Sequence, residues 1–235
     1  MRNWLCLGAV RPVSLGNLGQ WGRRGRYSRS QTSGRRKLMS PQSAVIVLWI
    51  VWYSTWILAV VFSRRTKVQM KTDAVGAHRF LAGFGSLLLF TPLVWDGRLS
   101  VEPWTALSAR LWPDSLVVDW SLFGLVATGF AFCWWARLHL GSLWSGFVTL
   151  KEDHRVVDSG PYALVRHPIY AGAIFSAAMT ALISASALSL LGAGMVAAGF
   201  TMTARIEVRF LRQELGAGAY DDYSRRVGML VPGLK

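Results

Sequence analysis

The chain has 235 residues, 52% of them hydrophobic and only 16% charged, with twelve tryptophans. Soluble domains carry about 25% charged residues, and Trp favours the membrane–water boundary, so the balance argues against an ordinary soluble domain. The net charge of +14 is uneven: nine positive charges and no acid lie in residues 1–43, which leaves five for the rest and argues against nucleic-acid binding by the whole protein.

Residues 1–43 are rich in Arg, Ser and Gly, lack apolar periodicity, and are expected to be a disordered basic extension. Residues 44–62 follow with nineteen uncharged residues, mostly Val, Ile, Leu and Trp. As a helix they would measure about 28 Å, close to the ~30 Å hydrocarbon core. Residues 80–95 form a second apolar run with Pro92 near its end, and residues 120–136 a third, bounded by Asp119 and Arg137. From Pro168 to Ala204 no residue is charged. A helix of that length would reach about 55 Å, too long for one span. Ser184, Ala185 and Ser186 interrupt its hydrophobicity, so two antiparallel helices joined by a tight turn are expected there.

The spacing therefore predicts an all-α protein, a polytopic membrane helix bundle of about five transmembrane helices. The basic extension (1–43) precedes N-terminal transmembrane helices (44–136) and a C-terminal region (137–235) that holds most of the polar motifs. The loop at 63–79 carries Arg64, Arg65, Lys67, Lys71 and Arg79 against Asp73, whereas the loop at 96–119 is net acidic. By the positive-inside rule the first faces the cytoplasm, and so do residues 137–167 and the C-terminal tail. The cell (inner) membrane is the expected location. That parity puts the nine N-terminal positive charges outside, against the rule. A start at Met39 removes the conflict, so residues 1–38 are expected to be missing from the working protein.

Cys6 and Cys133 cannot build a disulfide framework, and Cys133 is expected to be a small buried hydrophobe. The four histidines are scattered without HxxxH spacing, so no metal site is expected. Gly192-Ala193-Gly194 lies inside an apolar helix and reads as close helix packing, not as a dinucleotide loop.

The informative stretch is LGSLWSGFVTLKEDHRVVDSGPYALVRHPIYAG, residues 140–172. Gly160-Pro161 makes a turn. Pro168 suits the first turn of a helix, where its missing N–H would be unpaired anyway. His167 then stands at the start of that helix, where free N–H groups and the positive dipole end favour an anion. Arg166 adds charge, and Tyr162 and Tyr170 add aromatic faces and hydroxyls. Taken singly, each is an ordinary cap, interfacial anchor or positive-inside residue. Together at fixed spacing they outline a polar, aromatic pocket rim at a membrane boundary.

Gly160-Pro161-Tyr162-x-x-Val165-Arg166-His167-Pro168-Ile169-Tyr170-x-Gly172 resembles the signature of the isoprenylcysteine carboxyl methyltransferase family and is similar to membrane-embedded phospholipid methyltransferases. Leu140-Gly141, Trp144-Ser145 and His154-x-Val156-Val157 upstream fit the resemblance. So do Glu207-Val208-Arg209-Phe210-Leu211, Leu215-Gly216, Tyr220, Tyr223 and Pro232 downstream. The likeness spans residues 140–232. It implies S-adenosylmethionine as cofactor, in a cytoplasmic pocket formed by the C-terminal half. His154, Val156, Val157, Tyr162, His167, Pro168, Tyr170 and Glu207 would bind it. The acceptor would be a prenylated, lipid or other hydrophobic small molecule reached through the bilayer. Two positions depart from the family pattern: Val208 stands where a second Glu is usual, and Thr203 where an Arg often precedes it.

In-line methyl transfer needs alignment and water exclusion more than it needs catalytic groups. A carboxylate acceptor needs no base, and Arg166 or Arg205 would orient it. An amine acceptor must lose a proton, and Glu207 is the candidate base. Two rival readings are a membrane reductase using NADPH, of related fold, and a non-enzymatic membrane protein. The reductase would be expected to need more spans, and a transporter would place ionisable groups inside its spans.

Overall fold

The computed structural model describes residues 39–61, 68–69, 74–94, 102–141, 144, 149–150, 156–215 and 217–234. Residues 1–38 of the expected basic extension (1–43), most of the charged loop at 63–79, and His154 lie outside the described residues, and residues 41–43 of that extension are helical, because the first helix starts at Pro41. What is described belongs to one compact unit, Leu38–Lys235.

The helices are α1 (Pro41–Val61), α2 (Ala74–Val94), α3 (Trp104–Ser108), α4 (Leu116–Leu140), α5 (Pro168–Ser184), α6 (Ala187–Leu215) and α7 (Ala217–Arg226). Four of them, α1, α2, α4 and α6, are long and apolar enough to cross a membrane. The fifth expected span, α5, has 17 residues. At about 25 Å it is short of the hydrocarbon core. The chain is a multi-pass helical membrane bundle. Large apolar side chains such as Ile57, Phe80, Leu87, Val117 and Leu138 point outward on it.

The helices run further than the apolar runs. Helix α2 begins at Ala74, so His78 and Arg79 are helical, and His78 is buried. Helix α4 takes in Asp119 in its first turn and Arg137 in its last. Backbone N–H and C=O groups near a bilayer need internal partners, so a helix continues until a cap or turn supplies them. Ser115 caps α4 by accepting from the Val118 N–H, and Gly141 ends it with φ 57°.

The core is where α1, α2, α4, α5 and α6 meet, around Trp49, Leu89, Val126, Phe130, Ala177 and Ile183. Helix α5 sits centrally because one face is made of small residues: Gly172, Ala173, Ser176, Ala177 and Ala181 are all buried. A Cβ on Gly172 would lie 2.6 Å from Cys133 Sγ and 2.7 Å from the Gly129 carbonyl, so α4 and α5 touch backbone to backbone. Helices α2 and α6 cross the same way. A Cβ on Gly192 would lie 2.5 Å from Leu89 N and 2.6 Å from the Gly85 carbonyl. The expected glycine packing holds at Gly192, whereas Gly194 faces open space. Cys133 is fully buried, as expected.

The α5–α6 hairpin turns at Ala185, in the left-handed region at φ 56°. The turn is held from outside the hairpin. Arg110 Nη1 donates to the Ile183 carbonyl (3.0 Å), and the Leu111 N–H donates to the Ala185 carbonyl (2.6 Å). At the other end of the bundle, Val68–Gln69 (β1) pairs antiparallel with Thr149–Leu150 (β2). This pairing joins the loop after α1 to the loop after α4, as the predicted parity of spans requires.

Candidate functional site

The candidate site gathers at the bundle end where α4 finishes, α5 starts and α6 leaves the core. Gly160 has φ 58°, which only glycine adopts without strain, and the His139 ring lies against it, 2.7 Å from where a Cβ would be. Pro161 and Tyr162 then complete a single 3-10 turn, Gly160–Ala163. His139 Nε2 meets Ser159 Oγ at 2.9 Å, and its ring stacks near Tyr162 at 6.3 Å. Tyr162 is buried, and its carbonyl accepts from the Tyr223 hydroxyl at 2.7 Å.

The chain then runs extended to the start of α5. The C-terminal tail pairs alongside it in parallel, Val165 opposite Gly228. The Arg166 N–H donates to the Gly228 carbonyl (2.8 Å) and the His167 N–H to the Met229 carbonyl (3.1 Å). These two bonds fix the backbone where His167 becomes the N-cap of α5, with Pro168 buried at the first helical position. The expected turn and helix start are both present.

Three of the predicted residues converge here. The Tyr170 hydroxyl donates to Glu207 Oε2 at 3.0 Å. His167 Nδ1 lies 3.6 Å from the same oxygen, an electrostatic contact longer than a hydrogen bond. The His167 and Tyr170 rings stack at 5.5 Å and 9°, and Tyr170 stacks in turn on Phe200 at 5.4 Å. Phe200 and Glu207 are seven residues apart on α6, two turns along one face. His167 is buried, and its Nε2 has no hydrogen-bond partner among the described residues.

The remaining predicted residues are placed differently. Val156 packs with Val208 and Leu211 against Tyr220, Tyr223 and Val227, and Val157 beside it is half-buried. Arg166 lies against the Tyr220 hydroxyl instead of the Glu207 carboxylate. Arg205 is exposed. It is two residues from Glu207, hence about 200° around the helix. Burial pushes the hydroxyls of Tyr162, Tyr220 and Tyr223 up from the usual phenol value. The Glu207 charge adds to the shift at Tyr162, and Arg166 opposes it at Tyr220 and Tyr223. All three are therefore neutral hydrogen-bonding groups at neutral pH. Among the described residues no three His, Cys, Asp or Glu side chains are grouped as a metal would need.

Residues 122–210 match the isoprenylcysteine carboxyl methyltransferase family model. This segment is isoprenylcysteine carboxyl methyltransferase-like. No curated protein sequence matches the chain. The match supports a membrane methyltransferase. The family segment begins inside α4 and ends inside α6, so it takes in His154, Val156, Val157, Tyr162, His167, Pro168, Tyr170, Arg205 and Glu207. It starts earlier than residue 140, which agrees with the Gly129–Gly172 contact that makes α4 and α5 one packing unit. Tyr220, Tyr223, Gly228 and Met229 lie beyond it, although they hold its central loop.

Sequence reasoning missed His139 and Phe200. Gly160 was a signal for the first, since a glycine before Pro-Tyr left room for a ring. The seven-residue spacing to Glu207 was a signal for the second.

Proposed function

We propose that the protein transfers a methyl group from S-adenosylmethionine to a lipid or lipid-like acceptor, a carboxylate or an amine. The observation that carries this is the convergence of His167, Tyr170 and Glu207 at the start of α5, with His167 Nε2 buried and unpartnered. The residues fit the cofactor. Glu207 offers a carboxylate to its ammonium group, and the His167–Tyr170–Phe200 stack offers flat faces. The α5 N-terminus and His167 Nε2 offer donors to its carboxylate. Val156, Val157, Tyr162 and Pro168 complete the proposed lining, with His154 from the loop before them. When bound, the cofactor supplies an activated methyl on a cationic sulfur.

The chain's own part is positioning. Tyr170 holds the Glu207 carboxylate through its hydroxyl, so that carboxylate is fixed before any ligand arrives. The tail bonds at Gly228 and Met229 fix the His167 backbone. Buried tyrosines exclude water from the reacting centre. For an amine acceptor, Glu207 takes the proton. For a carboxylate no proton moves, and Arg166 is the better placed of the two candidate cations to orient it. The acceptor enters sideways from the bilayer. The site faces the cytoplasm, which the arginines of the C-terminal tail, Arg205, Arg209, Arg212, Arg225 and Arg226, support.

Calorimetry with S-adenosylhomocysteine on detergent-purified protein tests this reading. Micromolar binding is expected, with a loss of at least about tenfold in Glu207→Gln, or roughly 1.4 kcal/mol, while the thermal midpoint stays put. Well-folded protein that binds no S-adenosylhomocysteine would discard the reading.

A further inference from the structure

Residues 104–120, from α3 into the start of α4, carry the surface of a lipid-facing element. Trp104, Leu107, Leu111, Trp112, Leu116 and Trp120 are all exposed. Single exposed apolar residues are ordinary, but a run of large ones marks an interaction surface. Three of the six are tryptophans, whose ring and N–H together suit the membrane–water boundary. Val117, between Leu116 and Trp120, begins the outward face of α4 that runs on to Trp135 and Leu138. The run therefore joins the surface that α4 turns to the bilayer.

The charges of the segment are turned the other way. Arg110 Nη1 donates to the Ile183 carbonyl at 3.0 Å, and Nη2 pairs with Asp114 at 2.8 Å. Asp119 is buried, and its Oδ2 accepts from Gln42 Nε2 at 3.3 Å. The backbone is tied down as well. Arg110 bridges Ser186 antiparallel, and the Leu111 N–H donates to the Ala185 carbonyl at 2.6 Å. Under this bridge the hairpin turn is satisfied from within: Ser184 and Ser186 Oγ meet at 3.2 Å, and Ser189 Oγ donates to the Leu89 carbonyl at 2.7 Å. Non-helical backbone is tolerated at membrane depth only where protein supplies such partners. The depth itself follows from α5. Its 17 residues end about 25 Å from the polar site at its start, within the ~30 Å hydrocarbon core. Leu111, bonded to the residue after α5, is therefore level with the far edge of that core instead of standing in the water beyond.

We infer that residues 104–120 form a shelf inserted at the acyl–headgroup boundary of the leaflet opposite the candidate site. Its partner is the phospholipid layer, whatever the headgroup charge. The segment's single cation, Arg110, is taken by Asp114 and the hairpin, so it offers no free positive group to an anionic headgroup. The apolar side chains hold the bundle at a fixed depth from that side. They also cover the α5–α6 turn, which lets a helix too short for the core end inside the layer. The shelf stands whether or not the chain transfers methyl groups.

Nitroxide labels read depth directly, because oxygen concentrates in a bilayer and a nickel chelate stays in water. The full chain with Cys6→Ser, in which the remaining Cys133 is fully buried, would carry one label at a time in phosphatidylcholine bilayers. The labelled positions are Leu107→Cys, Leu111→Cys, Trp112→Cys and, as the water-side reference, Asp114→Cys. Oxygen is expected to relax the first three labels severalfold more than the nickel chelate does, and the order should reverse at Asp114→Cys. Adding anionic phosphatidylglycerol should leave these ratios unchanged. Each variant's thermal midpoint checks its fold, and if Trp112→Cys does not fold, Leu107→Cys and Leu111→Cys carry the test. Nickel dominating at Leu107→Cys and Leu111→Cys would put the segment in water and overturn the proposal. So would labels shielded from both reagents, which means that a second copy or another protein covers the surface, or an oxygen excess that appears only with the anionic lipid.

Discussion

Val208 shows how one residue's neighbours decide its role. The sequence marks it as a departure from an expected Glu-Glu pair, which raises the question of lost activity. In the fold it packs with Val156 and Leu211 against Tyr220, Tyr223 and Val227. Its neighbour Glu207 faces Tyr170 and His167 instead. Restoring a Glu by Val208→Glu would bury a carboxylate among apolar groups. It should lower stability by about 1–3 kcal/mol without raising activity. Urea unfolding in mixed micelles beside a methyl-transfer assay checks this, and a variant at full stability with faster turnover would contradict it. The tyrosines of the same cluster carry a pH dependence. Burial raises their folded values above the ordinary phenol value of 10.0. Their contribution to stability is thus complete below about pH 10 and lost as pH climbs through the folded values. Phenolate absorbance should rise late, together with loss of helical signal. All six tyrosines ionising near pH 10 with the helices intact would refute the assignment.

At the scale of elements, the contacts that matter are backbone crossings. Gly192 on α6 faces Leu89 N and the Gly85 carbonyl, and Gly199 faces Ala82 and the His78 carbonyl. Gly194, two residues along, meets nothing within 4 Å. The two glycines should therefore answer opposite ways. Gly192→Ala forces α2 and α6 apart and should destabilise by about 1–3 kcal/mol. Gly194→Ala removes a flexible residue from a helix and should be neutral or stabilising by up to about 1 kcal/mol. Thermal melts of the two variants side by side decide it, and equal effects would mean that the crossing is not close-packed. The apolar runs showed that α1, α2, α4 and the hairpin exist. They did not show where each helix ends, because ends depend on caps and tertiary partners, such as Ser115 for α4 and Arg110 for the hairpin turn.

For the whole molecule, the tail is the part whose importance the apolar pattern conceals. The residues after Val227 are too few to form a span, yet they pair with Val165 and fix the backbone of Arg166 and His167. Ending the chain after Val227 should leave the bundle helical. It should weaken S-adenosylhomocysteine binding by about tenfold or more, because the His167 cap loses its support. A truncated protein that binds as the full chain does would show that the loop holds itself.

The sequence alone determined the class of this protein, because hydropathy and charge act locally and leave their mark on consecutive residues. It also located the start of α5, since proline and glycine restrict the backbone of their own positions. Its motif named His167, Tyr170 and Glu207 as partners by resemblance. Only the tertiary structure decided which side chains meet. Helix rotation turns Glu207 to Tyr170 and Arg205 outward, and the tail carries Gly228 beside Val165. Those outcomes depend on the relative placement of residues far apart in the chain, which no local pattern encodes.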